Sequence, residues 1–119
     1  MNWLFVFLGG GIGAGLRYML SLVLGKTASG FPVSTLFTNI LGCLIIGLVA
    51  GLSEKNNWSD AYKLFIMVGI LGGFTTFSSF GLEFYQMMKN NQTLSALLYV
   101  GLSNFVGLGL CALGYNWIK

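Results

Sequence analysis

Histidine is missing from this sequence, and its three acidic residues, Glu54, Asp60 and Glu83, are scattered. Neither a metal-ligand cluster nor a paired-carboxylate acid/base site can be read from such a set, which argues against an enzyme. Charge of either sign is scarce, at 8% of residues against about 25% in an average soluble domain. A net charge of +3 is too small and too dispersed for nucleic-acid binding. The two cysteines, Cys43 and Cys111, each fall deep in an apolar run, where a small packing residue is expected in preference to a disulfide. The first apolar run lacks the basic n-region of a cleaved signal peptide, so it is expected to stay as a membrane helix.

What the chain has in abundance is apolar length, with 55% hydrophobic residues over 119 positions. Four spans of roughly 20 to 25 residues use nearly all of it, so residues 1–119 are expected to form a single all-α, integral membrane domain of four transmembrane helices. The spans are predicted at 2–24, 32–52, 62–88 and 93–117, with the only proline, Pro32, suited to the first turn of the second. The loop at 53–60 is the clearly hydrophilic one, flanked by Trp58 and Tyr62 as interfacial anchors. Any chemistry must sit between the helices.

The centre of the third span reads Leu71-Gly72-Gly73-Phe74-Thr75-Thr76-Phe77-Ser78-Ser79-Phe80. Each glycine weakens a helix by about 1 kcal/mol relative to alanine. Backbone groups freed in lipid must find partners inside the protein or in a wet cavity. A third helix broken at the midplane is therefore expected, a common way to build an ion site. Beyond the break Thr76, Ser79 and Glu83 share one helical stripe, edged by Phe80 with Phe77 and Phe84 alongside.

Two other spans carry stripes at four-residue spacing: Thr35, Asn39, Cys43, Gly47 and Gly51 in the second, and Ser95, Tyr99, Ser103, Gly107 and Cys111 in the fourth, with Asn104 beside them. Matched stripes suit either a shared narrow path or tight packing. Asn39 must bond another helix or face a polar pathway, because an unpaired amide in hydrocarbon is costly. In the first span Gly9, Gly11 and Ala14 fit a dinucleotide fingerprint, but no acid follows at the required distance. Gly9/Gly13 and Gly11/Gly15 read instead as pairs for close helix approach. Arg17 either snorkels, pairs structurally or attracts an anion.

With four spans, Lys55, Lys63 and Lys119 fall on one membrane face and Arg17, Lys26 and Lys89 on the other. Three against three leaves no orientation bias, so an antiparallel dual-topology homodimer is expected. A route of Asn, Ser, Thr and Tyr without a run of acids favours donation to a dehydrated anion, helped by the electropositive ring edges of Phe77 and Phe80. Glu83 beside such a route repels the ion unless it is protonated or paired. Two alternatives stay open. A small dual-topology multidrug or cation exporter needs an embedded acid, typically in the first span, where Arg17 stands. A non-conducting packing subunit of a membrane complex would account for the glycines but not for the centred motif.

Gly-Gly-Phe-Thr-Thr-Phe-Ser-Ser-Phe at 72–80, Gly-Leu-Arg-Tyr at 15–18 and Thr-Leu-Phe-Thr-Asn-Ile-Leu-Gly at 35–42 together resemble the bacterial fluoride channel family called Fluc or CrcB. The resemblance covers the whole chain in length, span order and motif placement. It implies a passive, fluoride-selective channel in the bacterial inner membrane, a dual-topology dimer with two antiparallel pores that exports cytoplasmic fluoride. By similarity Phe77 and Phe80 are the pore phenylalanines and Asn39 the pore asparagine. Thr76, Ser78, Ser79, Tyr99 and Ser103 are candidates for the polar track, and Arg17 for the basic residue of the vestibule. The resemblance also implies a structural Na⁺ at the dimer centre, held by backbone carbonyls of Gly72 and Thr75 from both subunits. Ser79 stands where the family often has Thr, and Ser34 where Gly is frequent.

Overall fold

The computed structural model describes residues 2–27 and 30–118. Lys119, weighed above in the charge balance, and positions 28 and 29 of the first loop lie outside the described residues. Four helical stretches are long and apolar enough to cross a membrane: Asn2–Leu24, Val33–Lys55, Asp60–Lys89 and Thr93–Ile118. We label the first two α1 and α2 and the last α5, and divide the third into α3 (60–74) and α4 (Ser78–Lys89). At 1.5 Å per residue a 23-residue helix reaches about 35 Å, enough for a hydrocarbon core of about 30 Å. The molecule measures 48 × 30 × 21 Å, and side chains such as Phe7, Val23, Leu94 and Phe105 lie exposed on it. Acyl chains can solvate such an exterior; water cannot do so favourably.

α1 has the predicted bounds, whereas α2 continues to Lys55 instead of stopping at 52. Its last turn stays wound because the Ser53 hydroxyl donates to the Ala50 carbonyl at 2.9 Å and the Tyr115 hydroxyl donates to the Glu54 carboxylate. The loop behind it turns at Asn57, which takes a left-handed φ of 52°, a conformation that asparagine tolerates better than most residues. Pro32 sits one position ahead of α2, with φ −81°.

Glycines set how closely the helices approach. A Cβ on Gly9 would lie 2.4 Å from the Phe65 carbonyl oxygen, and one on Gly13 would lie 2.0 Å from that of Ile70, so α1 meets α3 backbone to backbone. The other pair read from the sequence, Gly11 and Gly15, has nothing within 4 Å. α2 and the C-terminal half of α5 interlock in the same way, with a Cβ on Gly47 meeting the Cys111 carbonyl oxygen at 2.2 Å and one on Gly114 meeting that of Leu44 at 2.7 Å. Wider π-type turns run over Leu64–Leu71 and Leu102–Val106. Where α4 and α5 meet the first loop, Met87, Ala96 and Tyr99 form a buried cluster against Phe31, Leu36, Phe80 and Phe84.

Candidate functional site

α3 ends at Phe74, Thr75 is extended (φ −84°, ψ 159°), and helix resumes at Ser78. Nearby side chains satisfy the backbone groups on both sides of this interruption. Thr75 donates to the Leu71 carbonyl through both its N–H (3.1 Å) and its hydroxyl (3.0 Å). The Thr76 hydroxyl accepts the Ser79 N–H at 3.2 Å, capping the start of α4. Asn39 clamps Thr76 from α2, its Oδ1 accepting the Thr76 N–H (2.9 Å) and its Nδ2 donating to the Thr76 carbonyl (3.0 Å). A carboxamide offers donor and acceptor side by side without a change of protonation.

A buried group left unpaired costs about 1–3 kcal/mol, and the two part-buried Thr76 groups lose their partner, so Asn39→Leu is expected to destabilise the protein by about 1–3 kcal/mol, read as a lowered melting temperature in detergent. Equal melting of Asn39→Leu and the wild type would show that the clamp does not hold the interruption.

The interruption is seated against two neighbours. On the α1 side the Gly73 carbonyl accepts Arg17 Nε at 3.2 Å, and a Cβ on Gly73 would lie 2.5 Å from the Gly10 carbonyl oxygen. Arg17 thus makes a structural pairing at the carbonyl end of α3, where a helix carries partial negative charge. On the α2 side the Thr75 methyl lies 2.3 Å from where a Cβ on Gly42 would stand, so position 42 has no room for a side chain.

A groove of about 380 Å³ opens beside the interruption. α2 contributes Asn39, Gly42, Cys43 and Ile46, while α3 contributes Met67, Leu71 and Gly72. Thr75, Thr76 and Phe77 follow from the interruption, Phe80 from α4, and Ser103 and Asn104 from the wide turn of α5. The Phe77 ring is 83% exposed and leans over Phe80, with centroids 5.8 Å apart and planes tilted by 39°. Behind Phe80 lies Tyr99, fully buried, at 4.9 Å and 49°. The inaccessible Ser103 hydroxyl has no hydrogen-bond partner among the described residues. Among those residues no three His, Cys, Asp or Glu side chains are grouped so as to hold a metal ion.

Of the residues singled out from the sequence, Asn39, Thr76, Phe77, Phe80 and Ser103 converge on this groove together with Gly72 and Thr75. Ser78 sits at its exposed rim, its hydroxyl 3.3 Å from that of Thr76, and Ser79 engages Thr76 through its backbone N–H. Tyr99 does not line the groove. Its hydroxyl donates to Glu83 Oε1 at 3.2 Å, so the carboxylate that looked isolated in sequence is paired. Arg17 does not line the groove either. The matched stripes divide their labour, with Gly47, Gly51, Gly107 and Cys111 packing tightly while Asn39, Cys43 and Ser103 border the groove. Sequence reasoning passed over Met67, which carries no signal in an apolar run. Gly42 was legible as a small residue one turn beyond Asn39.

Residues 4–115 match the model of the CrcB-like protein family, described as camphor resistance. A fluoride-specific ion channel FluC of Flavobacterium psychrophilum is 48% identical over 106 residues, covering 87% of this chain and 86% of its own. The FluC of Thermus thermophilus is 48% identical over 116 residues, with 97% and 93% covered. That of Helicobacter pylori is 38% identical, with 100% and 95% covered. A match of this extent to the family model, together with relatives aligned over nearly their full length, places the chain in the CrcB family.

Proposed function

We propose that the chain is a fluoride-selective, passive channel of the bacterial membrane, relieving fluoride toxicity by letting the ion leave the cytoplasm. It is a multi-pass membrane protein by its four long apolar helices, and relatives of up to 48% identity are named fluoride-specific ion channels, not enzymes. The observation that carries the reading is the groove itself, where Phe77, Phe80, Ser103 and Asn39 surround an interrupted backbone.

Stripping water from a small anion must be offset by many donors at once. The Ser103 hydroxyl has no other partner among the described residues, and the Asn39 amide keeps a second N–H beyond the one given to Thr76. The ring edges of Phe77 and Phe80 add electropositive C–H contacts without the charge that would trap the ion. Thr76, Ser78 and Ser79 continue the polar track, Tyr99 and Glu83 end it, and Arg17 supplies positive potential behind α3.

In this reading the interruption of the third helix lies at the bilayer midplane, and residues 1–119 act as one channel domain. An antiparallel second copy closes the open side of the groove over Phe77, giving two oppositely directed pores. A structural Na⁺ sits at the dimer centre. Gly72 and Thr75 suit it, because both lie on the groove side of the α3 terminus while Gly73 is occupied by Arg17. Their carbonyls from two subunits would hold the ion, which would neutralise the facing helix ends.

The test is efflux from liposomes containing the purified protein alone, followed with a fluoride electrode. Fast fluoride efflux with little chloride efflux is expected. Silence for both ions would overturn the reading, and labelling that finds all termini on one face in cells would overturn the antiparallel pair.

A further inference from the structure

A second hollow, of about 340 Å³ and lined mainly by polar groups, opens between the first and third loops. Lys26 and Gly30 approach it from one side, and Glu83, Gln86, Lys89 and Asn90 from the other. Two ammonium groups against one carboxylate leave it net positive. The carboxylate is engaged with the Tyr99 hydroxyl at 3.2 Å, whereas neither lysine has an ion-pair partner among the described residues. The Tyr99 ring lies 4.9 Å from Phe80, and Phe80 lines the groove. One line of contacts, Glu83 to Tyr99 to Phe80, therefore joins the two cavities.

We propose that this hollow is the anion-collecting mouth of the route, where Lys26 and Lys89 hold a hydrated monovalent anion before it is stripped of water at Phe80. The proposal rests on the fluoride-channel reading and adds the residues that set anion capture. A concave wall of net positive charge focuses the field on an anion, and such focusing raises local counter-ion concentration and arrival rate by about 10-fold or more. Lysine is a strongly hydrated point charge on a flexible stem, which suits brief holding more than tight binding. Such attraction reaches about 30 Å at 0.01 M salt and only about 3 Å at 1 M.

The experiment compares wild type with the double variant Lys26→Gln, Lys89→Gln in neutral phosphatidylcholine vesicles, at ionic strengths set with an impermeant salt. Fluoride efflux of the variant is expected to fall about tenfold at 0.01 M and less than about twofold at 1 M. Arginine at both positions should recover the low-salt flux, since charge and not shape is at work. A double variant matching wild type at low salt overturns the proposal. So does a loss of equal size at both salts, which marks a structural defect. Wild type silent for fluoride at every ionic strength would instead overturn the channel reading itself.

Discussion

Phe80→Ile is expected to cut fluoride efflux about a hundredfold, an added barrier of about 2.7 kcal/mol, while the protein still folds. Isoleucine keeps an apolar side chain but has no electropositive edge to offer an anion. The structural cost includes the ring contacts with Tyr99 at 4.9 Å and Phe77 at 5.8 Å, about 0.5–1.5 kcal/mol per aromatic pair, and some of the packing against the Met87, Ala96 and Tyr99 cluster. Efflux by fluoride electrode and melting in detergent separate the two effects. Phe77→Ile is the cleaner companion, because a ring 83% exposed supports little of the chain's own packing. If flux survives in both variants, the rings have no part in conduction.

Gly13→Ala is expected to abolish folding outright, with no monodisperse protein recovered in detergent. The added methyl would lie 2.0 Å from the Ile70 carbonyl oxygen and 2.7 Å from the Phe74 nitrogen. Both are backbone atoms, so no rotamer change relieves the clash and α1 must lift from α3. Overpacking that side chains can partly relieve costs about 1–3 kcal/mol, and here the neighbours are fixed. Lifting α1 would also break the Arg17 contact to Gly73. Gly11→Ala adds the same methyl where nothing lies within 4 Å and should melt within about 1 kcal/mol of wild type. Normal recovery of Gly13→Ala would mean that the close approach of α1 and α3 is not needed.

Much of the site could be read from residue types alone. Asn39 declared itself because an amide in hydrocarbon must have partners. The paired glycines read as helix breakers, yet both stay helical and the first extended residue is Thr75. Which partners those groups take was not legible. Thr76 lines the groove, but the sequence did not show that its hydroxyl also caps α4 or that Asn39 gives its amide to the Thr76 backbone. Tyr99 shared a stripe with Ser103 but turns toward Glu83, because a stripe sorts residues by helix face and says nothing of which neighbour each meets.

The sequence by itself determined that four apolar helices cross a membrane, since length and hydropathy are local properties of each span. Gly72 and Gly73 themselves stay helical, and the chain leaves the helix only at Thr75, beside the Asn39 contacts to Thr76. Only the tertiary structure decided that Gly9 and Gly13 meet α3 while Gly11 and Gly15 do not, and that Asn39, Phe80 and Ser103 face one groove. Those facts depend on how each helix is rotated against its neighbours. That rotation is set by contacts between residues distant in the chain, and no local pattern encodes it.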